Sequence, residues 1–558
     1  MAEDVNDLAQ EYFDYLLTVW PTWGHLMGNY EHADLYDDAS RAGEDEEIRR
    51  RRAFADRAEA IPGDDLSAQD RITREMLVFD GRRNADILDA RFAEFDVDPI
   101  FGPVAGLPVY IPKLPIPNAD VAEAMIAKTR RIARNFRDLS DRVQDGVARN
   151  RTPAAFAVDD TVAQIDRWLA TPIAEDPLLH TAEPTGVADP DAWRARLQAV
   201  IEADVRPAVA HYQATLRDKV RPVARDDAHV GLTWLADGDD AYGRMIRYHT
   251  TLKMTADEIH AIGLAQIEKL AGEYRVLGEE VLRTSDVPEI FRRLREDPAL
   301  HLTNGPDIVA ASKAALAKAT AATRDWFGIL PKAACDVEET QSGAIAFYFP
   351  PAKDGSRPGV FFMNTADPTG WGRYQIEATS FHEGIPGHHL QLAISTELES
   401  VPEFRKRAFI AAYGEGWGLY SERLADEMGL YSSPLDRMGM LEADSMRACR
   451  LVVDTGMHAL GWSRQRAVDY MTDNSPMRLS QVVAEIDRYA VTPGQALAYM
   501  IGRLEIQRMR RDAEEALGDR FSIQGFHDTV LGSGLMPLPV LDRVVRDWVE
   551  GQRVPVGA

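Results

Sequence analysis

The stretch Ser380-Phe381-His382-Glu383-Gly384-Ile385-Pro386-Gly387-His388-His389-Leu390-Gln391 contains three of the thirteen histidines of the chain, and a glutamate directly follows the first of them. A His-Glu pair followed by another histidine is how many zinc hydrolases supply two imidazole ligands and a general base from one helix. The stretch therefore predicts a metal site with His382 as one ligand and Glu383 as the base.

The spacing of the histidines excludes one unbroken helix as their scaffold. His388 and His389 follow His382 by six and seven residues, whereas two ligands on one face are usually four apart. In a continuous helix His388 would lie on another face and His389 about 10 Å further along the axis, too far for zinc bonds of about 2.1 Å. Pro386 cannot donate to the carbonyl of His382, and glycines on both sides of it tolerate unusual torsions. We predict an interrupted helix with His388 as second ligand, His389 as the reserve choice, and a plain Pro-Gly turn without metal as the alternative.

Composition bounds the class of protein and its partners. The chain has 558 residues, of which 45% are hydrophobic and 27% charged, and its net charge is 63 − 89 = −26. An acidic surface repels nucleic acid and anionic membranes, so we expect neither as a partner. Cys335 and Cys449 are the only cysteines, which excludes a disulfide scaffold and a cysteine zinc cluster. The N-terminus lacks the hydrophobic core of a signal peptide, and no apolar run approaches the ~18–20 residues of a membrane span, so we predict a cytoplasmic protein.

Apolar periodicity predicts a mostly α-helical fold with two lobes. Residues 1–330 are expected to form a helical lobe that supplies the walls of a cleft, and residues 331–558 a catalytic lobe within one continuous architecture. The proline-rich residues 99–118 are expected to be an ordered connector. Predicted helices in the first lobe are 4–19, 44–60, 65–95, 120–149, 153–170, 190–220, 239–252 and one that opens at the capping box Thr255–Glu258 and runs to Leu282.

A short β-rich segment precedes the histidine stretch. Residues 344–349 and 360–364 are rich in aromatic and β-branched side chains and flank a turn-forming segment, which predicts a hairpin. A strand edge beside a zinc helix can hold an extended peptide by main-chain hydrogen bonds. A hairpin that only packs against the helix is equally consistent with the sequence.

A third ligand is expected downstream, because a catalytic zinc takes three protein ligands and keeps one open position. Glu415 lies 33 residues after His382, among glycines that let its helix approach another backbone closely. Glu422 is two turns further on the same face, so it is either a rival ligand or a partner for an imidazole. The alternative for both is a solvated glutamate.

Two further stretches contain groups that could stabilise an oxyanion. Arg450, Asp454 and His458 recur every four residues on a helix predicted at 438–460, with Arg447 one turn before, and they form either part of the site or a buried polar ladder.

The second stretch runs from Tyr489 to Arg503. Tyr489 and Arg503 are predicted to bind the substrate, and Tyr499 to donate a hydrogen bond to the developing charge. Taken alone, each of these groups is more often structural.

The combined motifs resemble a known family. His-Glu-x-x-x-Gly-His-His at 382, Glu-Gly-Trp-x-Leu-Tyr at 415, Arg-x-x-Arg-Leu-Val-Val-Asp-Thr-Gly-x-His at 447 and Tyr-x-x-x-Pro-Gly-Gln-Ala at 489 resemble the bacterial domain-of-unknown-function 885 family. That family looks like a helical group of zinc peptidases, distantly similar to neurolysin-type oligopeptidases and thermostable carboxypeptidases. The motif here has two more residues between the histidines than those peptidases have.

The resemblance implies a zincin-like helical body with a deep channel and assigns the site. It implies Zn²⁺ held by His382, His388 and Glu415, with Glu383 as general base. It also favours Tyr499 and His458 as groups that stabilise the transition state.

The expected substrate is a short peptide or small amide, hydrolysed by metal-activated water. The alternatives are a metal-dependent amidase or esterase that acts on a non-peptide metabolite, and a non-catalytic helical protein with a structural metal.

Overall fold

The computed structural model describes residues 3–352, 355, 357–399, 401–408 and 410–553. Within them the chain is mostly helical. The helices of the first half are α1 (Val5–Val19), α2 (Pro21–Leu26), α3 (Arg41–Ala60), α4 (Ala68–Asp89), α5 (Pro103–Tyr110), α6 (Ala119–Ala148), α7 (Ala155–Ala170), α8 (Pro190–Val200), α9 (Arg206–Thr215), α10 (Gly238–Thr250), α11 (Ala256–Leu282), α12 (Val287–Glu296) and α13 (Gly305–Ala322).

Among its described residues, the second half adds a small sheet and ten α-helices. Its elements are β1 (Cys335–Thr340), β2 (Ala346–Phe349), β3 (Gly359–Asn364), α14 (Gln375–Glu383), α15 (His388–Glu397), α16 (Glu403–Arg407), α17 (Ala411–Glu427), α18 (Pro434–His458), α19 (Arg464–Asp473), α20 (Leu479–Val491), α21 (Ala498–Leu517), α22 (Ile523–Leu531) and α23 (Leu538–Arg553).

The predicted mostly helical class is confirmed, and the helix starts follow local capping chemistry. Thr255 accepts a hydrogen bond from the backbone N–H of Glu258, whose carboxylate accepts one from the N–H of Thr255, so the capping box forms as predicted. The connector at 99–118 is ordered, as predicted, and it also contains helical structure that was not predicted. It contains α5, which begins at Pro103, because the fixed φ of proline suits the first turn of a helix.

The small sheet lies just before the histidine stretch along the chain. Its strand order is β1-β3-β2, with β2 antiparallel and β1 parallel to β3. The antiparallel pair is the predicted hairpin. The parallel strand β1 was not predicted, because its charged run from Cys335 to Thr340 lacks the alternation of a half-buried strand.

Buried side chains connect the two predicted lobes. One core cluster joins apolar residues of α1, α3 and α4 to residues of α15, α17, α21 and α23. A second cluster consists only of residues between 33 and 220. The chain on both sides of residue 330 therefore shares a core, and the segment with a separate core is the one from about α5 to α9.

Candidate metal centre

The helix that carries the first histidine stops where the sequence predicted. α14 ends at Glu383 and α15 begins at His388, so a four-residue turn separates the two helices. A Cβ on Gly387 would lie 2.0 Å from the carbonyl oxygen of His382, a distance that only glycine can accommodate. The indole N–H of Trp417 donates to the carbonyl of Pro386 at 2.9 Å and ties the turn to α17. The predicted interruption is confirmed.

The turn brings His388 beside His382, and α17 adds Glu415. The Oε2 atom of Glu415 lies 3.6 Å from Nε2 of His382 and 3.4 Å from Nε2 of His388. The two imidazole rings are nearly perpendicular, with centroids 4.8 Å apart. One nitrogen or oxygen atom from each of the three residues lies within 4.8 Å of the other two.

Glycine at position 418 lets α17 pass directly under the first histidine. A Cβ there would lie 2.7 Å from Cε1 of the His382 ring, closer than real side chains approach. Two turns of α17 and α21 also meet backbone to backbone at Gly416 and Gly502, where a Cβ on either residue would strike the other helix. These close contacts fix the position of Glu415 relative to His382.

Glu422 orients the first imidazole. Nδ1 of His382 donates to Oε1 of Glu422 at 2.8 Å, which turns Nε2, the nitrogen that would bind a cation, toward Glu415 and His388. Of the two roles considered for Glu422, the structure supports the imidazole partner. Nδ1 of His388 is buried without a hydrogen-bond partner among the described residues, so no hydrogen bond at that nitrogen orients the ring.

The electrostatics of the cluster favour a cation. Burial alone would lower the pKa of His382, but Glu415 and Glu422 raise it to about 9. Burial opposes the charged form of Glu415, yet the two neighbouring imidazoles hold its pKa well below its usual value. Glu415 therefore faces both imidazoles and Glu422 contacts that of His382, so a positive charge among them is stabilised.

The donor set fits zinc. Two imidazole nitrogens and one carboxylate oxygen are ligands that Zn²⁺ takes at catalytic sites, where a fourth position stays open. His382, His388 and Glu415 retain 6%, 14% and 19% exposure of their side chains, so the cluster is enclosed but still reached by solvent.

His389, the reserve ligand, points elsewhere. Its Nδ1 lies 2.9 Å from the hydroxyl of Tyr348, and its Nε2 lies 3.2 Å from the carbonyl of Ala333. Burial lowers its pKa to about 4. Both nitrogens are engaged, so the choice between the neighbouring histidines falls on His388.

The predicted base and one predicted donor lie next to the cluster. Glu383 is partly exposed, raises the pKa of His382 by its charge, and makes no hydrogen bond or ion pair with another described residue. Burial and the charge of Glu415 raise the pKa of Tyr499, so this phenol also lies near the cluster. The guanidinium of Arg450 stacks over the Tyr499 ring at 4.4 Å.

Three other predicted site residues are structural. Nε2 of His458 donates to the carbonyl of Tyr489 at 3.0 Å, and Nδ1 accepts from the N–H of Leu232 at 3.2 Å, so neither nitrogen is available for an oxyanion. The hydroxyl of Tyr489 is buried between Arg450 and Glu485. Arg503 is 2% exposed and pairs with Asp444. The predicted catalytic role of His458 and the predicted substrate contacts of Tyr489 and Arg503 are therefore corrected.

One contributor to the site was missed from the sequence. Trp417 anchors the turn between the two histidines, but its role depends on α17 crossing α14 and α15, which no local pattern shows. The glycine on each side of Trp417 was the available signal of a close helix crossing.

The fold and this cluster define a mostly helical protein with a His-His-Glu set suited to a cation. The chain belongs to the family described as "Bacterial protein of unknown function (DUF885)", which matches residues 21–545. No curated protein matches it.

Two solved structures share the fold. A "putative lipoprotein" from Colwellia psychrerythraea has a TM-score of 0.90 at 23% identity, over 99% of this chain and 100% of the other. A "putative lipoprotein of unknown function" from Shewanella oneidensis has a TM-score of 0.80 at 18% identity, over 98% of this chain and 100% of the other. In the described residues, no helix has the length and apolarity needed to cross a bilayer.

Proposed function

We propose that this protein is a zinc-dependent hydrolase, a metallopeptidase that cleaves short peptides or small amides. One observation supports the proposal above all others: Nε2 of His382, Nε2 of His388 and Oε2 of Glu415 converge, while Glu422 fixes the tautomer of His382. A structural zinc is normally closed by a fourth protein ligand. Among the described residues this cluster has three, which favours a catalytic site.

The residues around the cluster divide the chemistry between them. His382, His388 and Glu415 would hold Zn²⁺, which when bound supplies Lewis acidity and lowers the pKa of water. Glu383, which no described partner restrains, accepts a proton from the attacking water and returns it to the leaving amine. Tyr499 donates a hydrogen bond to the developing oxyanion, a role worth about 10²–10³ in rate.

The resemblance to neurolysin-type oligopeptidases supports the peptidase assignment over other hydrolases. A deep channel of that type would restrict substrates to short chains. The acidic surface, with a net charge of −26, opposes nucleic acid and anionic membranes as partners. A cytoplasmic location stays a prediction, because the two neighbouring structures are described as putative lipoproteins.

The central test separates metal binding from turnover. We expect purified protein to contain close to one zinc per chain and to cleave members of a short-peptide library. Glu383→Gln should retain the zinc and lose at least about 10³-fold in kcat, because the base is removed while the ligands remain. The matched control is Glu427→Gln, which changes a surface glutamate on the helix of Glu415 that pairs with Arg510.

The same assay contradicts the proposal if Glu383→Gln turns over at the wild-type rate. A parallel screen of acyl-amino and ester substrates distinguishes peptide cleavage from hydrolysis of a non-peptide metabolite. Zinc without hydrolysis of any compound would instead indicate a structural metal.

A further inference from the structure

Two arginines of α18 flank the predicted oxyanion donor beside the cluster. Arg447 and Arg450 lie one helical turn apart, and their guanidinium carbons are 5.8 Å and 4.4 Å from the centroid of the Tyr499 ring. Arg447 also approaches Glu422, the residue that orients His382. Positive charge therefore lies on the side of the cluster where Tyr499 stands.

Among the described residues, Arg447 makes no hydrogen bond to a carboxylate, although its charge acts on the buried Glu442. Its Nη2 is 4.0 Å from Oε1 of Glu422, beyond hydrogen-bond distance, and that oxygen already accepts from His382 at 2.8 Å. Its Nη1 makes one long contact of 3.4 Å to the carbonyl of Ala443. Its Nε is buried without a partner among the described residues, although 14% of the side chain remains exposed. A guanidinium that served only to hold Glu422 would be expected at 2.7–2.9 Å from it.

Of the two neighbouring arginines, Arg450 also keeps an unsatisfied donor. Its Nε donates to the hydroxyl of Tyr489, and Nη1 of Arg488 donates to Oε1 of Gln495. Arg450 and Arg488 share the single carboxylate of Glu485, at 2.9 Å and 2.8 Å. Arg450 is 5% exposed, and its Nη1 has no hydrogen-bond partner among the described residues. Glu485 is therefore the carboxylate that accepts hydrogen bonds from these arginines among the described residues, while Glu422, Glu442 and Asp454 act on them only through their charge. Unsatisfied buried donors are costly and call for an explanation, and beside a reactive cluster a bound ligand supplies one.

We propose that Arg447, supported by Arg450, binds a carboxylate of the substrate next to the scissile bond. The inference rests on the proposed function and narrows its substrate class to amides or peptides that carry a free carboxylate near the cleaved bond. A planar guanidinium fork matches a carboxylate with two hydrogen bonds. An otherwise acidic protein needs such a local positive group to hold an anionic substrate. The carboxylate is either the C-terminus of a peptide or an acidic side chain.

The experiment compares matched probes on matched variants. The probes are an N-acetyl-dipeptide with a free C-terminus, its C-terminal amide, and an amide with glutamate in the last position. Calorimetry measures their binding to zinc-loaded Glu383→Gln protein, and turnover is measured on the protein with Glu383 intact. The variants are Arg447→Gln and Arg447→Lys, and the control is Arg437→Gln, which removes an exposed arginine of the same helix that pairs with Asp426.

We expect Glu383→Gln protein with Arg447 intact to bind the acid roughly ten- to a hundredfold more tightly than the amide, the range for one charge-assisted hydrogen-bonded pair. Arg447→Gln should abolish this preference and keep the zinc, while Arg447→Lys should restore part of it. The glutamate amide identifies the source of the carboxylate, because it binds like the acid only if an acidic side chain is recognised. Arg437→Gln should behave as wild type.

The outcomes separate this inference from the proposed function. Equal binding of acid and amide by Glu383→Gln protein with Arg447 intact would overturn the inference. Loss of zinc from Arg447→Gln would overturn it as well. In both cases peptide turnover would still support the hydrolase. Acid-selective binding that depends on Arg447, with no turnover of any probe, would keep the carboxylate site and count against the hydrolase.

Discussion

Two buried histidines on neighbouring helices have opposite environments. His382 is 5% exposed and His458 is fully buried. Carboxylates raise the pKa of His382 to about 9, whereas burial lowers that of His458 to about 4. The His382 ring donates to Glu422 and directs its second nitrogen at Glu415. The His458 ring uses both nitrogens in hydrogen bonds to main-chain groups. Whether a buried histidine can bind a cation is decided by the partners of its two nitrogens, and the motif around it does not reveal them.

The largest expected effect comes from replacing His382 and His458 in turn by glutamine. His382→Gln should reduce zinc from about one per chain to below about one tenth after dialysis, because one of three ligands is lost. His458→Gln should retain full zinc, since neither of its nitrogens faces the cluster. Metal analysis of the two purified variants measures the difference. A His458→Gln protein without zinc would show that the structural assignment of His458 is wrong.

A milder change removes the partner of His382 and leaves the ligand. Glu422→Gln should weaken zinc binding about ten- to a hundredfold, the usual effect of losing the carboxylate that orients a ligating histidine. The matched change is Glu485→Gln, which alters the carboxylate shared by Arg450 and Arg488. Competition with a chelator gives both affinities. Equal zinc affinity of the two variants would contradict the role of Glu422.

The comparison also predicts a pH dependence of stability. The pKa of His458 is lowered first by burial and also by the charge of Arg225, although its hydrogen bond to Tyr489 opposes the shift. An unfolded histidine has a pKa near 6.5, so between about pH 6.5 and 4 the unfolded chain binds more protons and stability falls as pH falls. The loss from His458 amounts to about 2 kcal/mol at pH 5 relative to pH 7.

Denaturant titration at both pH values, on wild type and His458→Gln, isolates this contribution. The variant should lose less stability on acidification by about that amount, since glutamine does not titrate. Identical pH dependence in the two proteins would show that His458 keeps an ordinary pKa in the folded state.

Local chemistry made part of this site predictable. Pro386 and its flanking glycines predicted the break between the histidines, and that break is present. The capping box at Thr255 and the hairpin before the motif were also readable from neighbouring residues. The set His382, His388 and Glu415 came from the motif together with the family resemblance.

The predictions that failed, or that the sequence did not allow, depend on residues far away in the chain. His389 is excluded by Tyr348 and Ala333, which precede it by 41 and 56 residues. Nδ1 of His458 accepts a hydrogen bond from the N–H of Leu232, 226 residues earlier. The parallel strand β1 pairs directly with β3, although β2 lies between them in the sequence. Periodicity and spacing describe one segment at a time. They cannot show which distant group forms a hydrogen bond with a buried nitrogen, or which strand pairs with another.

The smallest expected effect tests the backbone beneath His382. A methyl group on Gly418 would meet the imidazole at 2.7 Å, whereas a methyl group on Gly272, inside α11, would meet no described atom within 4 Å apart from its chain neighbours and the backbone of its own helix. Gly418→Ala should lower the free energy of unfolding by about 1 kcal/mol, the low end for overpacking, because the ring can tilt. Gly272→Ala should raise it by about 0.5–1 kcal/mol by restricting the unfolded chain. The tilt weakens the bond from His382 to Glu422, so Gly418→Ala should also bind zinc less tightly. Unchanged zinc affinity in Gly418→Ala would show that the close approach of α17 is dispensable for the metal centre.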